Sequence, residues 1–490
     1  MLELSNRTET SFTYRNWYPQ HYSGGSHLRA FPQMGLLDAT GCRELHLASL
    51  EILRRTGVTL LHAEARELLS KTGECVVDGE RVCFSPALVE WSLRQAPSRV
   101  VLCDRGTDKE SVALQGREVN FGPGSDCPNY LDPLTGERRP FTRADLAACI
   151  RLVDALPELG FCMSMGIPSD LDTSSPYREQ FALMLEHTTK PIVFVCDDVA
   201  DCEAIVRMAA SAAGGMARLR LQPSLLLYSE PSTPLIHSET ATAKLLFMAE
   251  QGLPVVHSPA PMMGGTAPVT PAGAFALGNA EVLSSLVVHQ LKNPGAPFVY
   301  GVQVHHLDLR TTISVYGAPE YQLARAMSAE MGRFYGLPTW GNAGISDSCV
   351  MDEQAAADAA VSVLFALMTG TNLAHDVGYL ESGLTTSPEM IVFTGEMIGM
   401  MRRFARGVSS DSEPLGLEVI HRVGPGGEYV STDHTMAHFR DFWQPSLQNR
   451  RRFDDWIVDS WRDLGARLRE KAVCLMEEGG SAVGEGDRAP

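Results

Sequence analysis

From Val119 onward, short apolar runs alternate with longer stretches in which apolar residues recur at helical spacing. Eight runs occur, each bounded by Pro, Gly or polar residues and each followed by a helical stretch. The runs are Val119–Gly122, Gly160–Met165, Pro191–Cys196, Ser224–Tyr228, Pro254–His257, Phe298–Val302, Thr339–Asn342 and Thr371–His375. Because eight strand–helix pairs in series are the repeat of a parallel barrel, the sequence predicts an α/β fold of the (β/α)8 TIM-barrel type.

The helical stretches complete this pattern. They are Arg143–Leu156, Tyr177–Thr188, Val199–Ala212, Glu239–Gln251, Ala272–Leu291, Glu320–Tyr335, Asp352–Met368 and Pro388–Phe404. A hairpin-like insert at Tyr130–Pro140 interrupts the first crossover. The barrel domain is therefore predicted over residues 111–407.

Smaller units are predicted on both sides of the barrel. Residues 1–37 lack a clear period and are expected to form an N-terminal arm. Residues 38–110 combine helical patterns with a hairpin at Cys75–Phe84, whose turn is expected at Asp78-Gly79, so they predict a small α+β domain. A C-terminal extension is predicted at 408–478, with a helix over Trp443–Glu477, and the Gly/Ser-rich tail 479–490 is expected to be disordered.

The composition excludes several classes of function. A formal net charge of −18 argues against nucleic acid or an anionic membrane as the main partner. The polar N-terminus lacks the hydrophobic region of a signal peptide, and no apolar run is long enough to predict a membrane span. Eleven cysteines without CxxC pairs indicate reduced thiols. A cytoplasmic protein is expected.

Polar side chains follow the predicted strands at the barrel end where active sites are found. They are Asp126, Asp197, Tyr228, Glu230, His257, Gln303, His305, His306, Asp347, His375 and Asp376. Each of them alone is also explained as a hydrogen-bonded structural residue. Glu230 is the sharper candidate, because it ends an apolar strand before Pro231 and, beside Tyr228, offers a carboxylate and an aromatic face to an ammonium group. A salt bridge in the barrel mouth is the alternative.

Other chemistries have weaker support. The pairs His305-His306 and His375-Asp376 invite a metal hypothesis, but there is no HExxH and no thiolate pair, so no directly bound metal is expected. Cys349 could be a nucleophile, although a buried free cysteine is the commoner case. Neither GxGxxG after a strand nor GxxxxGK[ST] occurs, so dinucleotide and triphosphate binding have no support.

The loop after the fifth strand reads Met262-Met263-Gly264-Gly265. Glycine removes side-chain bulk and methionine supplies an adaptable apolar surface, so the loop suits the approach of a large flat group. An ordinary βα turn with core methionines is the alternative.

Several segments resemble a known family in order along the chain. They are Asp132–Pro140, Tyr228–Pro231, Pro259–Thr270, Asn293–Pro297, Tyr316–Glu320, Tyr335–Pro338, Gly344–Ser348, His375–Gly378 and Val423–Gly427. On these segments the chain resembles the trimethylamine methyltransferase family, in its pyrrolysine-lacking branch similar to glycine betaine:corrinoid methyltransferases. The resemblance implies a TIM-barrel enzyme that moves a methyl group from a quaternary amine, such as glycine betaine, to the Co(I) corrinoid (cobalamin) of a separate partner protein.

The resemblance also implies roles for individual residues. Glu230 and Gln303 are expected to be catalytic. Substrate contacts are expected from Tyr228, His257, His305, His306, Asp347 and His375. The corrinoid is expected to face Met262, Met263, Gly264 and Gly265. Founding members of the family carry pyrrolysine in the barrel, whereas this chain has ordinary residues throughout, and the equivalent position is expected near Gln303–His306. A homo-oligomer is also expected.

Two other functions remain open from the sequence. One is a barrel enzyme of another class, a metal-dependent hydrolase or lyase, which would hold a stoichiometric metal. The other is a non-catalytic betaine-binding protein, which would be stabilised by its ligand without turnover.

Overall fold

The computed structural model describes residues 29–30, 33–171, 176–409, 415–458 and 461–478. Most of the predicted arm and the whole tail 479–490 lie outside these ranges. The chain divides into two compact units, one of residues 1–31 and 406–441 and the other of residues 32–405 and 442–490. In the smaller unit, Arg29–Ala30 pairs antiparallel with Val408–Ser409. Its described helices are Leu417–Val423, Asp433–His438 and the 3-10 turn Phe439–Asp441.

The larger unit mixes helices and strands and belongs to the α/β class. Its helices are Ala39–Glu51, Ala63–Thr72, Pro86–Gln95, Arg143–Ala155, Pro176–His187, Val199–Ala212, Met216–Leu221, Glu239–Gln251, Pro271–Lys292, Pro319–Tyr335, Glu353–Thr369, Pro388–Ala405, Phe453–Val458 and Leu464–Glu478, with a π turn at Ile52–Thr56 and a 3-10 turn at Glu381–Gly383. Its strands are Val58–Leu60, Cys75–Asp78, Arg81–Phe84, Val100–Cys103, Glu110–Leu114, Asn120–Phe121, Asn129–Leu131, Arg138–Pro140, Ile192–Phe194, Leu225–Ser229, Ile236–His237, Val255–His257, Met262–Met263, Phe298–Val299, His305–Asp308, Ile313–Val315, Trp340–Asn342, Leu373–His375, Tyr379–Leu380 and Thr385–Thr386.

Parallel pairing connects the eight apolar runs of the sequence. One sheet has the strand order Ile192–Phe194, Leu225–Ser229, Val255–His257, Phe298–Val299, and a second has the order Trp340–Asn342, Leu373–His375, Asn120–Phe121. Single parallel bridges join Tyr300 to Thr339, Phe121 to Leu159 and Cys162 to Ile192. The second run, 160–165, takes part only through such bridges. The pairings therefore lead from the first run through all the others and back to the first.

The helices that follow the runs lie where periodicity places them, and their ends differ from the predicted ones by no more than one residue. Side-chain caps explain this accuracy. Thr142 and Asp145 form a capping box, and Asp198 caps the N-terminus of Val199–Ala212. Left-handed Gly252 ends the helix Glu239–Gln251.

Two local predictions are corrected. The hairpin at Cys75–Phe84 is present, but Asp78 pairs with Arg81, so its two-residue turn is Gly79-Glu80 with Gly79 at φ +61°. The predicted helix Trp443–Glu477 is wrong over residues 443–452, which are not helical. Among the described residues of this segment, helices span Phe453–Val458 and Leu464–Glu478. Apolar spacing alone did not predict this interruption of the helix, because Trp443, Leu447 and Phe453 still recur at intervals compatible with a helix.

Alternate strand residues enter two different cores. Leu226, Val256, Val299, Trp340 and Leu373 pack with one another and with the hairpin of Val100–Cys103 and Glu110–Leu114. Their neighbours on the opposite face join the larger core that the surrounding helices complete; these include Leu225, Leu227, Val255, Phe298 and Ala374. Because successive strand residues face opposite ways, the face on which a strand-end residue lies follows from this division.

The helix Pro271–Lys292 is long and apolar enough to cross a membrane by length and composition. However, 78% of its most apolar 18-residue window is buried inside the protein. Part of that burial lies against the N-terminal elements, since Ala280, Leu283 and Val287 share a core cluster with residues of the segment 50–89. Its apolar composition is therefore explained by its place in the core.

Candidate active site at the strand ends

Side chains from three strands of the parallel set form an aromatic wall. The Trp340 ring is 1% exposed and stacks on Tyr228, with ring centroids 5.1 Å apart, and on His375, with centroids 4.2 Å apart. Trp340 belongs to the core cluster that contains Leu226 and Val256, and Tyr228 packs against that cluster, so the wall borders it. It presents stacked π systems of the kind that attract cations.

Glu230 lies beside this wall. The Tyr228 hydroxyl donates a hydrogen bond to the Glu230 carboxylate. The side chain of Glu230 is accessible to solvent yet closely surrounded by protein, as expected for a group that lines a recess. Burial, with smaller contributions from the carboxylates of Asp126 and Asp376, raises its pKa to about 7, while the Tyr228 hydrogen bond opposes the shift. A cation in the recess would favour the ionised form.

A hydrogen-bond network orients His375. Arg325 donates to the side-chain oxygens of Gln303 and Asn342. Because a guanidinium only donates, it turns the amide NH2 groups of Gln303 and Asn342 towards His375, whose Nε2 lies 2.9 Å and 3.2 Å from them. The His375 Nε2 therefore accepts, and the proton of the ring belongs on Nδ1, which lies 2.6 Å from Asp376 Oδ1.

The network has a cationic end at Arg325 and an anionic end at Asp376. Arg325 is 5% exposed, its guanidinium lies 4.1 Å from the Tyr321 ring centroid, and its remaining described acceptors are the Tyr321 hydroxyl and the Val304 carbonyl, both at 3.0 Å. Burial opposes ionisation of Asp376, but His375 and Asn342 outweigh it and lower its pKa. The cationic and anionic ends of the network are thus both held in place.

His305 packs against Tyr321, the ring that Arg325 also contacts. Its Nδ1 is 2.9 Å from the Ser314 hydroxyl, and its ring meets the edges of Tyr316 and Tyr321 at centroid distances of 5.2 Å and 5.6 Å. Burial, and secondarily Arg325, lower its pKa to about 3. His305 is therefore a neutral polar group at physiological pH.

His306 and Asp347 line a separate open cleft of about 300 Å³, together with Asp308, Arg310 and Asp358. Both Asp347 oxygens already accept hydrogen bonds at 2.8 Å from the backbone N–H groups of Tyr316 and Gly317. Asp347 thus holds a turn.

His257 is placed on the opposite strand face from Tyr228 and Glu230. It pairs in register with Ser229, is fully buried, and stacks on His237 at 6.3 Å. Neither ring nitrogen has a hydrogen-bond partner among the described residues, and burial lowers its pKa well below the usual value. The structure does not bring His257 to the aromatic wall.

The segment Met262–Met263 is a short strand parallel to His305–His306. Met263 is 2% exposed and belongs to the core, whereas Gly264 and Gly265 are exposed in the following turn. Gly264 has φ +83°, which favours glycine. Only part of the predicted apolar loop is therefore available to another molecule.

The remaining candidates are distributed differently. Asp126 is half-buried near Glu230, whereas Asp197 and Cys349 are exposed, so the expectation of a buried thiol at Cys349 is wrong. Within the described ranges, no group of three or more His, Cys, Asp or Glu side chains is arranged to hold a metal ion.

Sequence reasoning missed Trp340, Asn342 and Arg325 as functional candidates. Trp340 and Asn342 lie in a predicted strand, so their shared parity with its end was a usable signal. Arg325 lies in the middle of the helix Pro319–Tyr335, where no sequence pattern distinguishes it from a solvated arginine.

The α/β fold brings together a carboxylate and stacked aromatic rings, groups whose chemistry suits a small cation. The chain belongs to the trimethylamine methyltransferase (MTTB) family, whose model matches residues 17–481, and the resemblance inferred from the sequence is confirmed.

Two relatives from Desulfitobacterium hafniense illustrate the range of the family. The chain is 30% identical to the trimethylamine methyltransferase MttB of strain DSM 10664 / DCB-2, over 80% of this chain and 78% of the relative. It is also 30% identical to the glycine betaine methyltransferase of strain Y51, over 78% of this chain and 80% of the relative.

A solved structure shares the fold. The monomethylamine methyltransferase of Methanosarcina barkeri matches with a TM-score of 0.54 and 14% identity, over 91% of this chain and 89% of that one. The chain is thus a member of a family of methyltransferases, with a fold found in a structurally characterised amine methyltransferase.

Proposed function

We propose that this protein transfers a methyl group from a quaternary amine, glycine betaine or a related betaine, to the Co(I) corrinoid of a separate partner protein. The observation that carries the proposal is the pairing of Glu230 with the stacked rings of Tyr228 and Trp340. A carboxylate and aromatic faces together are the recognition chemistry of a quaternary ammonium group. Relatives named for trimethylamine and for glycine betaine support the substrate class.

The proposed reaction requires little acid–base catalysis from the protein. In a quaternary amine the C–N bond breaks with its electron pair leaving on a neutral amine, while an electron pair of Co(I) forms the new bond to carbon. Catalysis then depends on positioning and desolvating the reacting groups. Glu230 and the adjacent ring of Tyr228 would supply part of that positioning.

The geometry supports the following roles for individual residues in this reaction. Glu230 and Tyr228 hold the ammonium group, and Gln303 with His375 and His305 orient the rest of the substrate. Met262, Gly264 and Gly265 face the corrin ring, with Met263 supporting them from the core. The positions of His257, His306 and Asp347 give no support to direct substrate contacts.

Finer features of the architecture belong to the same proposal. The cyclic parallel pairing supports a (β/α)8 barrel over 111–407, with a small α+β domain at 38–110 and an extension at 408–478 that is helical in part. Such an enzyme would act in the cytoplasm, meet its corrinoid protein there, and form a homo-oligomer.

The test uses purified protein, chemically reduced cob(I)alamin as acceptor, and candidate quaternary amines added one at a time. Methylcobalamin formation is followed by its absorption spectrum. Glu230→Gln keeps the shape of the side chain and removes its charge, so we expect kcat/KM to fall by about 10- to 100-fold. Glu137→Gln, at an exposed hairpin position, is the matched control. An unchanged rate in Glu230→Gln would show that the carboxylate is not the cation anchor, and an absence of methylation with every amine would overturn the proposed reaction.

A further inference from the structure

A second carboxyl group, that of Asp126, lies within electrostatic range of Glu230. Asp126 follows the first strand of the parallel set, and its backbone is left-handed with φ +71°, a conformation that non-glycine residues adopt only where the surroundings hold them. Its Oδ2 accepts a hydrogen bond from the Ser125 hydroxyl at 2.9 Å. Its Oδ1 is buried and has no partner among the described residues. One carboxylate oxygen is therefore left without a structural role.

The charged surroundings of Asp126 are mostly acidic. Asp376 follows the adjacent strand Leu373–His375, Asp197 follows the strand Ile192–Phe194, and Lys244 is the cationic group that acts on Asp126. Lys244 donates to the Cys196 carbonyl at 2.6 Å and makes no ion pair with Asp126. Burial, with smaller contributions from the two acidic neighbours, raises the pKa of Asp126 to about 6, while the Ser125 hydrogen bond and Lys244 oppose the shift.

Glu230 experiences the same acidic field. Asp126, Asp376 and Lys244 act on it, and the Tyr228 hydroxyl is its described hydrogen-bond partner. The other titratable groups near the two carboxyls are phenols. Tyr177 interacts electrostatically with Asp126, and Tyr316 does so with Glu230. None of these phenols supplies a positive charge, so a cation that enters beside the two carboxyls would favour ionisation of both.

We propose that Asp126 is a second anionic anchor for the substrate's ammonium group, and that Asp126 and Glu230 exchange a shared proton for that positive charge when substrate binds. The inference rests on the proposed function, since it concerns the same site. It also assigns a specificity role to Asp126. An uncharged amine cannot replace the proton electrostatically and therefore binds more weakly than its permanently charged counterpart.

The experiment exploits a property of quaternary amines, which cannot themselves gain or lose a proton. Tetramethylammonium and glycine betaine are titrated into the full-length protein by calorimetry at pH 6.5, in buffers of different ionisation enthalpy. Any proton released then comes from the protein. With pKa values of about 7 and about 6, the two carboxyls together hold about one proton at this pH, so wild type is expected to release about one.

Variants separate the contributions. Asp126→Asn retains the shape and suits left-handed backbone, so it is expected to fold, to bind tetramethylammonium at least about fivefold more weakly, and to release clearly less than one proton. Glu230→Gln removes the group that holds more of the proton and leaves a smaller release. Glu137→Gln, far from the recess in the hairpin turn, is expected to match wild type.

The outcomes distinguish the inference from the function beneath it. Binding without proton release, or unaltered binding and release in Asp126→Asn, would overturn the role of Asp126 and leave the methyl-transfer proposal standing. A failure of every quaternary amine to bind would overturn both.

Discussion

Glu281 offers a quantitative test of how strongly this protein desolvates its buried carboxyl groups. It is fully buried in the helix Pro271–Lys292 and accepts hydrogen bonds from the backbone N–H of Leu235 and, at 3.1 Å, from the Thr233 hydroxyl. These contacts fasten the segment that follows Glu230. Burial nevertheless raises the pKa of Glu281 from 4.5 to about 7, because the two hydrogen bonds only partly offset it.

The sign of the pH dependence follows from that shift. Between pH 4.5 and 7 the folded protein holds the Glu281 proton more tightly than the unfolded chain does, so stability falls as pH rises through this window and is level above it. Glu281→Gln removes the titration. Its amide oxygen still accepts from Leu235, and its NH2 can donate to the Thr233 oxygen. Any remaining effect of the substitution is therefore independent of pH.

The magnitude is obtained from the two pKa values. The penalty of ionising Glu281 is about 1 kcal/mol at pH 5 and about 3 kcal/mol at pH 8. The variant should therefore gain about 2 kcal/mol over wild type between these pH values. Equilibrium urea unfolding of both proteins at each pH measures this difference, with Glu137→Gln as an exposed control that should show none. A flat difference for Glu281→Gln would refute the inference that burial outweighs its hydrogen bonds.

Two further substitutions test the walls of the site. Arg325→Met leaves four buried oxygen acceptors without this donor, at about 1–3 kcal/mol each, and the removal of a desolvated guanidinium partly offsets that cost. We expect a lower melting temperature, measured by calorimetry, and a loss of methyl transfer in the methylcobalamin assay that is larger than the loss of folded protein. Trp340→Ala removes a fully buried ring that stacks on His375 and should cost about 3–5 kcal/mol by urea unfolding. Wild-type stability in either variant would contradict the packing described here.

Much of the helical structure was predictable because its signals are local. Helical spacing predicted the helix ends to within one residue, and caps such as Thr142 and Asp198, which depend on a few neighbouring residues, fix those ends in the structure. The segment 443–452 shows the limit of this approach, since apolar spacing continues there without a helix. Propensity and spacing do not record the tertiary contacts that interrupt a chain.

The site was predictable only in part, since strand parity tells which residues of one strand share a face but not which face lines the site. Tyr228 and Glu230 share a face and were correctly kept together as neighbours. His257 also ends a strand, yet its register with Ser229 turns it towards the helices. That register is set by the whole parallel set of strands, whose two faces are equally apolar, so no pattern within Pro254–His257 distinguishes them.

The same division of the strand faces also bears on the charge of the titratable groups at the site. On the side lined by Tyr228, burial favours the protonated forms of Glu230 and Asp126, and it keeps His305 neutral. The guanidinium of Arg325 already donates hydrogen bonds to amide and carbonyl oxygens of the protein. A substrate ammonium group therefore brings the charge that these carboxyl groups lack, and its departure as a neutral amine after methyl transfer would remove it. Electrostatics of this kind favours binding of the methyl donor over retention of the demethylated product.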